Sequence, residues 1–278
     1  MPELPEVETT RAGIAPYLNG ETVERVTVRQ SRLRYAVPST LARKLKGQVI
    51  RDVLRRGKYL VFKLDQGSVL IHLGMSGSLR IVEQHAKPGK HDHVDFVMQS
   101  GWAIRYTDPR KFGLVLWGEG DAGEHSLLAK LGVEPLTRAF SATYFYKIAQ
   151  RRKVNIKALL MNSHVVVGVG NIYASEALFI AGIDPRTPAV ALQKEDCQRV
   201  VKAVKQVLKK AIKAGGTTLK DFVNGQGQPG YFQQQLYVYG RVGMDCYVCG
   251  REIQKCALAQ RSTFYCPQCQ SLLDESSE

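Results

Sequence analysis

The first six residues, Met1-Pro2-Glu3-Leu4-Pro5-Glu6, set a possible secondary-amine nucleophile beside two carboxylates. Initiator methionine is normally removed before a residue as small as proline, so we expect the imino group of Pro2 to be the working N-terminus. An α-amino group titrates near ~8, so about a tenth of such a terminus is unprotonated at neutral pH. A free lone pair is what attack on a sugar C1′ needs. Judged alone, the stretch fits an ordinary helix start better, because proline is common in the first turn.

Such an amine could displace a base from its sugar. The product would be a cationic iminium, a form of Schiff base, which acidifies the neighbouring C2′ hydrogen and opens a route to strand cleavage. Glu3, next in the chain, is placed to supply or remove the proton.

Four of the six cysteines form two Cys-x2-Cys pairs that are separated by 16 residues: Cys246, Cys249, Cys266 and Cys269. Thiolates on two tight turns converge into a tetrahedron, so this spacing predicts a structural zinc site. All four ligands are sulfur, which leaves no open position at the metal for a catalytic water. We predict no other metal and no organic cofactor. We expect the remaining two cysteines, Cys197 and Cys256, to be small buried thiols.

The net charge of +14 points to a polyanionic partner. The two halves of the chain carry +6 and +8, as expected if the ligand lies between them. With 44% hydrophobic and 23% charged residues, the composition is that of an ordinary soluble protein. We find no apolar run of membrane-spanning length and no signal peptide, so we expect a cytoplasmic protein without a membrane partner.

The periodicity of apolar residues predicts an α+β protein. A helix is expected over residues 5–18 and short strands from 22 to about 117, which suggests a β-sandwich or flattened barrel. A Gly- and acid-rich segment, 118–124, then leads to helices near 125–131, 142–151, 154–162, 171–181 and 193–214. We expect a strand at 236–239 before the zinc hairpin. The resulting domains are 1–120, 121–235 and 236–270, with a disordered tail at 271–278.

Several turns carry residues suited to DNA. Gly168-Val169-Gly170-Asn171 permits close backbone approach, and Asn171 can cap the next helix, which leaves main-chain N–H groups for a phosphate. Met75, Arg110 and Phe112 lie in glycine-flanked turns, where together they would fill the hole left by an extruded nucleotide. Lys58, at a strand start, and Arg261, in the zinc hairpin, could reach phosphates. Ordinary structural roles remain open for each of these residues.

The combined motifs are similar to those of the bacterial formamidopyrimidine-DNA glycosylases, the 8-oxoguanine repair enzymes with AP lyase activity. The resemblance covers Met1 to about Gln270, and it rests on the four-cysteine finger and on the segments 2–9, 56–60, 72–77, 90–93, 106–113 and 168–173.

That resemblance implies an N-terminal β-sandwich, a helical domain with a helix–two-turn–helix and a zinc finger. It implies a monomer that binds damaged double-stranded DNA in a cleft, in the cytoplasm at the nucleoid. Pro2 would be the Schiff-base nucleophile and Glu3 the general acid/base, with Lys58 in β-elimination and Arg261 in δ-elimination. The implied DNA contacts are His91, Arg110, Arg152, Lys153 and Asn171, and the implied intercalating triad is Met75, Arg110 and Phe112. A lid over the flipped base, 217–225 with Thr217 and Thr218, would be supported by Glu6 and Lys157.

We therefore expect a bifunctional glycosylase that excises oxidised purines and nicks the strand by β,δ-elimination. One alternative is the endonuclease VIII type, which has the same fold and takes oxidised pyrimidines. The other is a zinc-ribbon DNA-binding protein without activity, for which basicity and the finger alone would suffice.

Overall fold

The computed structural model describes residues 1–120, 123, 125–216 and 236–274. The chain divides into an N-terminal unit, Met1–Lys130 with Ile212–Gln233, and a C-terminal unit, Leu131–Ala211 with Gln234–Glu278. Parts of the predicted boundary at 118–124, the predicted lid with Thr217 and Thr218, and the end of the predicted tail lie outside the described residues. No helix among the described residues is long and apolar enough to cross a membrane.

The N-terminal unit begins with helix α1 (Leu4–Ile14), which continues as a 3₁₀ turn over Ala15–Tyr17. Glu3 is its N-cap and forms a capping box with Glu6, in which each side chain accepts the backbone N–H of the other residue. Such a box satisfies two of the amide groups that a helix start leaves without intrahelical partners. The predicted helix over 5–18 is thus confirmed, with its last turn tightened.

Two four-stranded antiparallel sheets follow. The first has the order β1-β6-β7-β5 and the second has the order β2-β3-β4-β8. A short helix, α2 (Leu41–Leu45), lies between the first two strands in sequence. The strand bounds are β1 (Val23–Val28), β2 (Ile50–Arg56), β3 (Tyr59–Leu64), β4 (Ser68–His72), β5 (Ser78–Glu83), β6 (Asp92–Met98), β7 (Trp102–Thr107) and β8 (Leu114–Gly118).

The two sheets and α1 share one hydrophobic core, which confirms the predicted β-sandwich. Val7 and Ile14 of α1 belong to the same buried cluster as residues of both sheets. Phe62 of β3 and Phe96 of β6 meet edge to face with ring centroids 5.5 Å apart. Because burial of such side chains is the main stabilising term, the core that forms the sandwich also holds α1 in place.

The helices are α3 (Ser126–Ala129), α4 (Ala142–Ala149), α5 (Ile156–Met161), α6 (Asn171–Ala181) and α7 (Lys194–Lys213), as the sequence predicted. Ser141 and Asn155 cap α4 and α5 by accepting the backbone N–H of Tyr144 and Ala158. Asn162 ends α5, and its Oδ1 accepts the N–H of His164 at 2.9 Å. Helices α5 and α6, with the turns between them, form the predicted helix–two-turn–helix.

A hairpin of β9 (Gln254–Leu258) and β10 (Arg261–Tyr265) follows, but the strand predicted at 236–239 is wrong. The N–H groups of Tyr237, Val238 and Tyr239 all donate to the carboxylate of Glu176 in α6, at 2.8–2.9 Å. Glu176 is fully buried. The segment therefore curls around one side chain, and these N–H groups are not available for pairing with another strand.

We expect Glu176→Gln to destabilise the C-terminal unit by about 1–3 kcal/mol, because an amide nitrogen would face a backbone donor where an oxygen now accepts one. Chemical denaturation followed by circular dichroism measures the loss. Glu252→Gln removes a charge from an exposed site of the same unit and is the control. Equal stability of the two variants would contradict the role of the buried carboxylate.

Candidate functional site

Pro2 and Glu3 are both buried at the start of α1, which places the predicted nucleophile and general acid/base side by side. The N–H of Glu3 donates to Oε2 of Glu6 at 2.9 Å, so the first helical turn fixes the chain at this point. In the chain as described, the Pro2 nitrogen lies in the peptide bond to Met1 and has no free lone pair. The amine exists only after removal of Met1.

Lys58 lies in a two-residue turn between β2 and β3, whose flanking residues Arg56 and Tyr59 pair. Gly57 precedes it with φ +58°, a conformation that glycine adopts without strain and that suits the first position of a type II′ hairpin turn. The lysine is partly buried. Its position is thus set by the register of the hairpin.

Next to this turn, the ring of Tyr59 packs against His72 at a centroid distance of 4.9 Å. His72 Nδ1 accepts the N–H of Gly74 at 2.9 Å, and this bond begins the turn that carries Met75. Burial lowers the pKa of His72 to about 4, with further lowering by the positive charges of Lys58 and Arg34. The imidazole is therefore neutral at physiological pH and can keep its acceptor role.

The predicted intercalating triad, which we call the wedge, consists of Met75, Arg110 and Phe112. The three residues lie on two turns of the N-terminal unit, and all three are exposed. Met75 is 41% and Phe112 46% exposed, which is high for apolar side chains of their size. The guanidinium of Arg110 lies 4.8 Å from the centroid of the Phe112 ring, in cation–π geometry. His91 lies just before β6 and is partly buried.

In the C-terminal unit, Arg152 and Lys153 are exposed between α4 and α5, as expected for phosphate contacts. Lys157, predicted to support the lid, is 1% exposed. Its Nζ donates to Thr263 Oγ1 at 2.7 Å and to the carbonyl of Ser262 at 3.2 Å. Lys157 therefore holds strand β10 of the zinc hairpin through these two bonds and does not face the solvent.

Asn171 does not cap α6, contrary to prediction, since Gly170 is the N-cap. Its Nδ2 donates instead to the carbonyl of Ser262 at 2.9 Å. The tip of that hairpin is a tight turn in which Ala259 and Gln260 have φ of 47° and 59°, the pattern of a type I′ turn. Arg261 follows the turn and is exposed. Asn171 and Lys157 thus hold the strand that presents Arg261.

The four cysteines of the finger lie together, with all ligand atoms within 4.8 Å of one another. The Sγ atoms of Cys246 and Cys269 are 3.9 Å apart, and those of Cys249 and Cys266 are 3.5 Å apart. A tetrahedron with Zn–S bonds of about 2.3 Å has edges of about 3.8 Å, so the thiols fit a zinc ion. They form a structural zinc site. Of the other two thiols, Cys197 is buried as predicted, whereas Cys256 is only partly buried.

Sequence reasoning missed two buried carboxylates that organise these segments. Asp108 is fully buried and binds the turns of Met75 and Phe112, and Glu176 binds the segment that leads into the finger. The available signal was Asp108-Pro109 followed by Gly113, since an aspartate before a proline often bonds the backbone of its own turn. Nothing local marks Glu176, whose partners lie about 60 residues away.

Comparison with known proteins agrees with this architecture. Residues 1–115 match the formamidopyrimidine-DNA glycosylase N-terminal domain, 131–223 its H2TH domain, and 246–272 the zinc finger found in FPG and IleRS. The formamidopyrimidine-DNA glycosylase of Pseudomonas aeruginosa is 54% identical over 270 residues, which cover 97% of this chain and 100% of that relative. The chain belongs to the formamidopyrimidine-DNA glycosylase family.

Solved members of the formamidopyrimidine-DNA glycosylase family have the same fold. The Thermus thermophilus protein superposes with a TM-score of 0.87 at 36% identity, over 98% of this chain and 100% of that one. The Lactococcus lactis protein in complex with DNA that contains an abasic site superposes with a TM-score of 0.89 at 33% identity, over 97% and 99%. A further complex of the Lactococcus lactis protein contains Fapy-dG DNA and gives 0.88 at 33% identity, over 97% and 100%.

We expect Cys266→Ser to lose zinc and to lower both the thermal midpoint and DNA affinity, because the metal ties the two ends of the finger. Zinc content, calorimetry and fluorescence anisotropy measure these three effects. Cys256→Ser removes a thiol of the same finger that lies outside the metal set and is the matched control. Tight DNA binding by metal-free protein would contradict this prediction.

The neutral state of His72 predicts a pH dependence of stability. Its pKa is lower in the folded protein, so between pH 6.5 and about 4 the unfolded chain binds the extra proton and stability falls as pH falls. The loss over that window is on the order of 3 kcal/mol. Urea unfolding at several pH values should show a shallower dependence in His72→Gln. His164→Gln, which changes an exposed histidine, should keep the slope of the unchanged protein.

Proposed function

We propose that this protein is a base-excision repair enzyme that removes oxidised purines, such as 8-oxoguanine and formamidopyrimidines, from duplex DNA and then cleaves the strand. The observation that carries the proposal is the burial of Pro2 next to Glu3 at a capped helix start, in a chain of this family. Formamidopyrimidine-DNA glycosylases are DNA glycosylases with AP lyase activity. We further propose that it acts as a monomer in the bacterial cytoplasm at the nucleoid, where its DNA substrate is.

The first step is attack by the Pro2 nitrogen, freed by removal of Met1, on C1′ of the damaged nucleotide. The new N–C1′ bond forms as the glycosidic bond breaks, and the base leaves with the proton that the amine loses. The C1′–O4′ bond of the sugar ring then breaks, O4′ takes up a proton, and the nitrogen lone pair forms the C=N bond of the iminium. Glu3 is the group we assign to proton transfer, because it adjoins Pro2 and its position is fixed by the bond to Glu6. A terminal amine has a lower pKa than a lysine, so a larger share of it is unprotonated and nucleophilic at neutral pH.

The second step is strand cleavage from the resulting Schiff base. Loss of a C2′ proton allows β-elimination, in which the 3′ phosphate leaves C3′, and we assign this step to Lys58 on its hairpin turn. Loss of the C4′ proton then allows δ-elimination, in which the 5′ phosphate leaves, and we assign this step to Arg261. Zinc supplies no chemistry in this scheme. Its four thiolate ligands hold the finger that presents Arg261.

DNA binding is assigned to exposed or partly buried cationic and polar residues of each unit. Arg152, Lys153 and Asn171 are the proposed backbone contacts of the C-terminal unit, and His91 and Arg110 those of the N-terminal unit. Exposed Met75 and Phe112, with Arg110, would fill the space left by the extruded nucleotide, which offsets an unstacking cost of a few kcal/mol. Glu6 and Lys157 are assigned supporting roles through the contacts described above, and the lid residues Thr217 and Thr218 stay a prediction.

Borohydride trapping tests the proposal, because only a Schiff-base enzyme leaves a reduced covalent adduct with DNA. Protein without Met1 should be trapped on duplex DNA that contains 8-oxoguanine, and Pro2→Thr should abolish the adduct. Pro5→Ala changes the proline in the first turn of α1, where alanine is well tolerated, and should retain trapping.

The lesion arm of the same experiment uses an oxidised pyrimidine in the same duplex. Stronger trapping on the pyrimidine would favour the endonuclease VIII type. If neither lesion gives an adduct, the protein is a DNA-binding protein without activity. Mass spectrometry of the same sample must show free Pro2, since retention of Met1 together with undiminished strand scission would contradict the proposed nucleophile.

A further inference from the structure

Asp108 stands at the end of β7 with its carboxylate fully buried and saturated by donors. Its Oδ1 accepts the hydroxyl of Ser76 at 2.9 Å and the N–H of Arg110 at 3.2 Å. Its Oδ2 accepts the hydroxyl of Tyr106 at 3.0 Å and the N–H of Gly113 at 2.9 Å. A buried carboxylate is costly unless it is bonded in this way, so its position is tightly determined by these four donors.

Three of the four donors come from two different turns, and the fourth, Tyr106, lies in β7. Arg110 and Gly113 bracket the turn that ends in Phe112, whereas Ser76 directly follows Met75. The two turns also touch, since a Cβ on Gly74 would lie 2.5 Å from the backbone of both Phe112 and Gly113. One carboxylate therefore fixes the spacing between the turn that carries Met75 and the turn that carries Arg110 and Phe112.

The main chain of Asp108 extends this link to a third segment. Its N–H donates to the carbonyl of His91 at 3.0 Å, and its carbonyl bonds His93 Nε2 at 2.7 Å. The residue thus contacts every segment of the N-terminal unit to which we assign a DNA contact around the extruded nucleotide. Ser76 is the side-chain connection to the Met75 turn.

We propose that Asp108 is a positioning residue that, through Ser76, holds Met75 in register with Arg110 and Phe112 so that the three side chains enter the base stack as one wedge. The inference rests on the proposed function. Breaking this link should therefore slow extrusion of the nucleotide. The chemical step should be unaffected, because Pro2 and Glu3 are held separately by α1.

Two single-atom substitutions separate this role from general support of the fold. Ser76→Ala and Tyr106→Phe each remove one hydroxyl from the same carboxylate. Tyr106 lies in β7, and the hydrogen bond from its hydroxyl to Asp108 does not involve the turn that carries Met75. Burial and the charge of Asp108 both raise the pKa of Tyr106, so its phenol stays protonated and acts as a donor just as Ser76 does. The two variants therefore lose equivalent bonds, but only one of them loses the link between the turns.

The readout is a ratio measured for each protein: the single-turnover rate of 8-oxoguanine excision from duplex DNA divided by the rate of strand cleavage at a preformed abasic site. The abasic nucleotide has no base to unpair, so its extrusion needs the wedge less. We expect Ser76→Ala to lower this ratio about fivefold, the effect of one lost hydrogen bond. Tyr106→Phe should change it by less than about twofold, even though both variants lose some thermal stability.

A spectroscopic signature accompanies the kinetics. With 2-aminopurine beside the lesion, binding of the unchanged protein should raise the fluorescence as the wedge unstacks the base. Ser76→Ala should raise it less at saturating protein, and Tyr106→Phe should match the unchanged protein.

An unaltered ratio in Ser76→Ala would overturn the inference, and so would equal losses in the two variants, which would trace the effect to the carboxylate and not to the link between the turns. Failure of the unchanged protein to excise 8-oxoguanine would instead refute the proposed function.

Discussion

The central constraint on this protein is that its proposed nucleophile is a chain terminus. Chain ends are usually the least ordered part of a domain, yet Pro2 and Glu3 are buried. They are held because α1 starts immediately after them and contributes Val7 and Ile14 to the core between the two sheets. The geometry of the reacting amine therefore depends on the packing of the whole β-sandwich, and damage to a core residue far from Pro2 can reach the chemistry through α1.

Buried carboxylates provide a second level of order where the backbone is irregular. A buried N–H that has no strand or helix partner needs another acceptor, and a carboxylate can serve several donors with charge-assisted bonds. Among the described residues, Glu6 accepts the backbone N–H of Glu3, Asp108 accepts those of Arg110 and Gly113, and Glu176 accepts those of Tyr237, Val238 and Tyr239. Each lies beside a segment that carries assigned residues or leads to one. Burying a charged carboxylate without partners would destabilise the fold. The hydrogen bonds from the backbone offset that cost, and they let each acid fix the segment beside it.

The parts of the fold that local sequence determines were predictable. Short apolar runs between turn signals predicted strands from 22 to about 117, helical spacing predicted the helix near 193–214, and the spacing of the cysteines predicted the zinc site. The errors have a common cause in distant partners. Tyr237–Tyr239 have strand-forming residue types, but their N–H groups are bound by Glu176. Asn171 can cap a helix, but its amide is bound to Ser262, 91 residues later in the chain. The burial of Lys157, which no local pattern indicates, likewise depends on a distant partner, Thr263, 106 residues later in the chain.

The site residues divide by exposure in a way that follows from their tasks. Met75, Phe112 and Arg261, which we assign to contact DNA, are exposed, whereas Asp108 and Lys157, which position them, are buried. An exposed side chain on a turn has little packing to restrain it, so its position must be set by the backbone of the turn that carries it. In the finger, the tight turn, the bonds of Asn171 and Lys157 to Ser262, and the metal all restrain the backbone that carries Arg261. The small size of the finger makes this necessary, because a hairpin of two short strands cannot bury enough apolar surface to order itself.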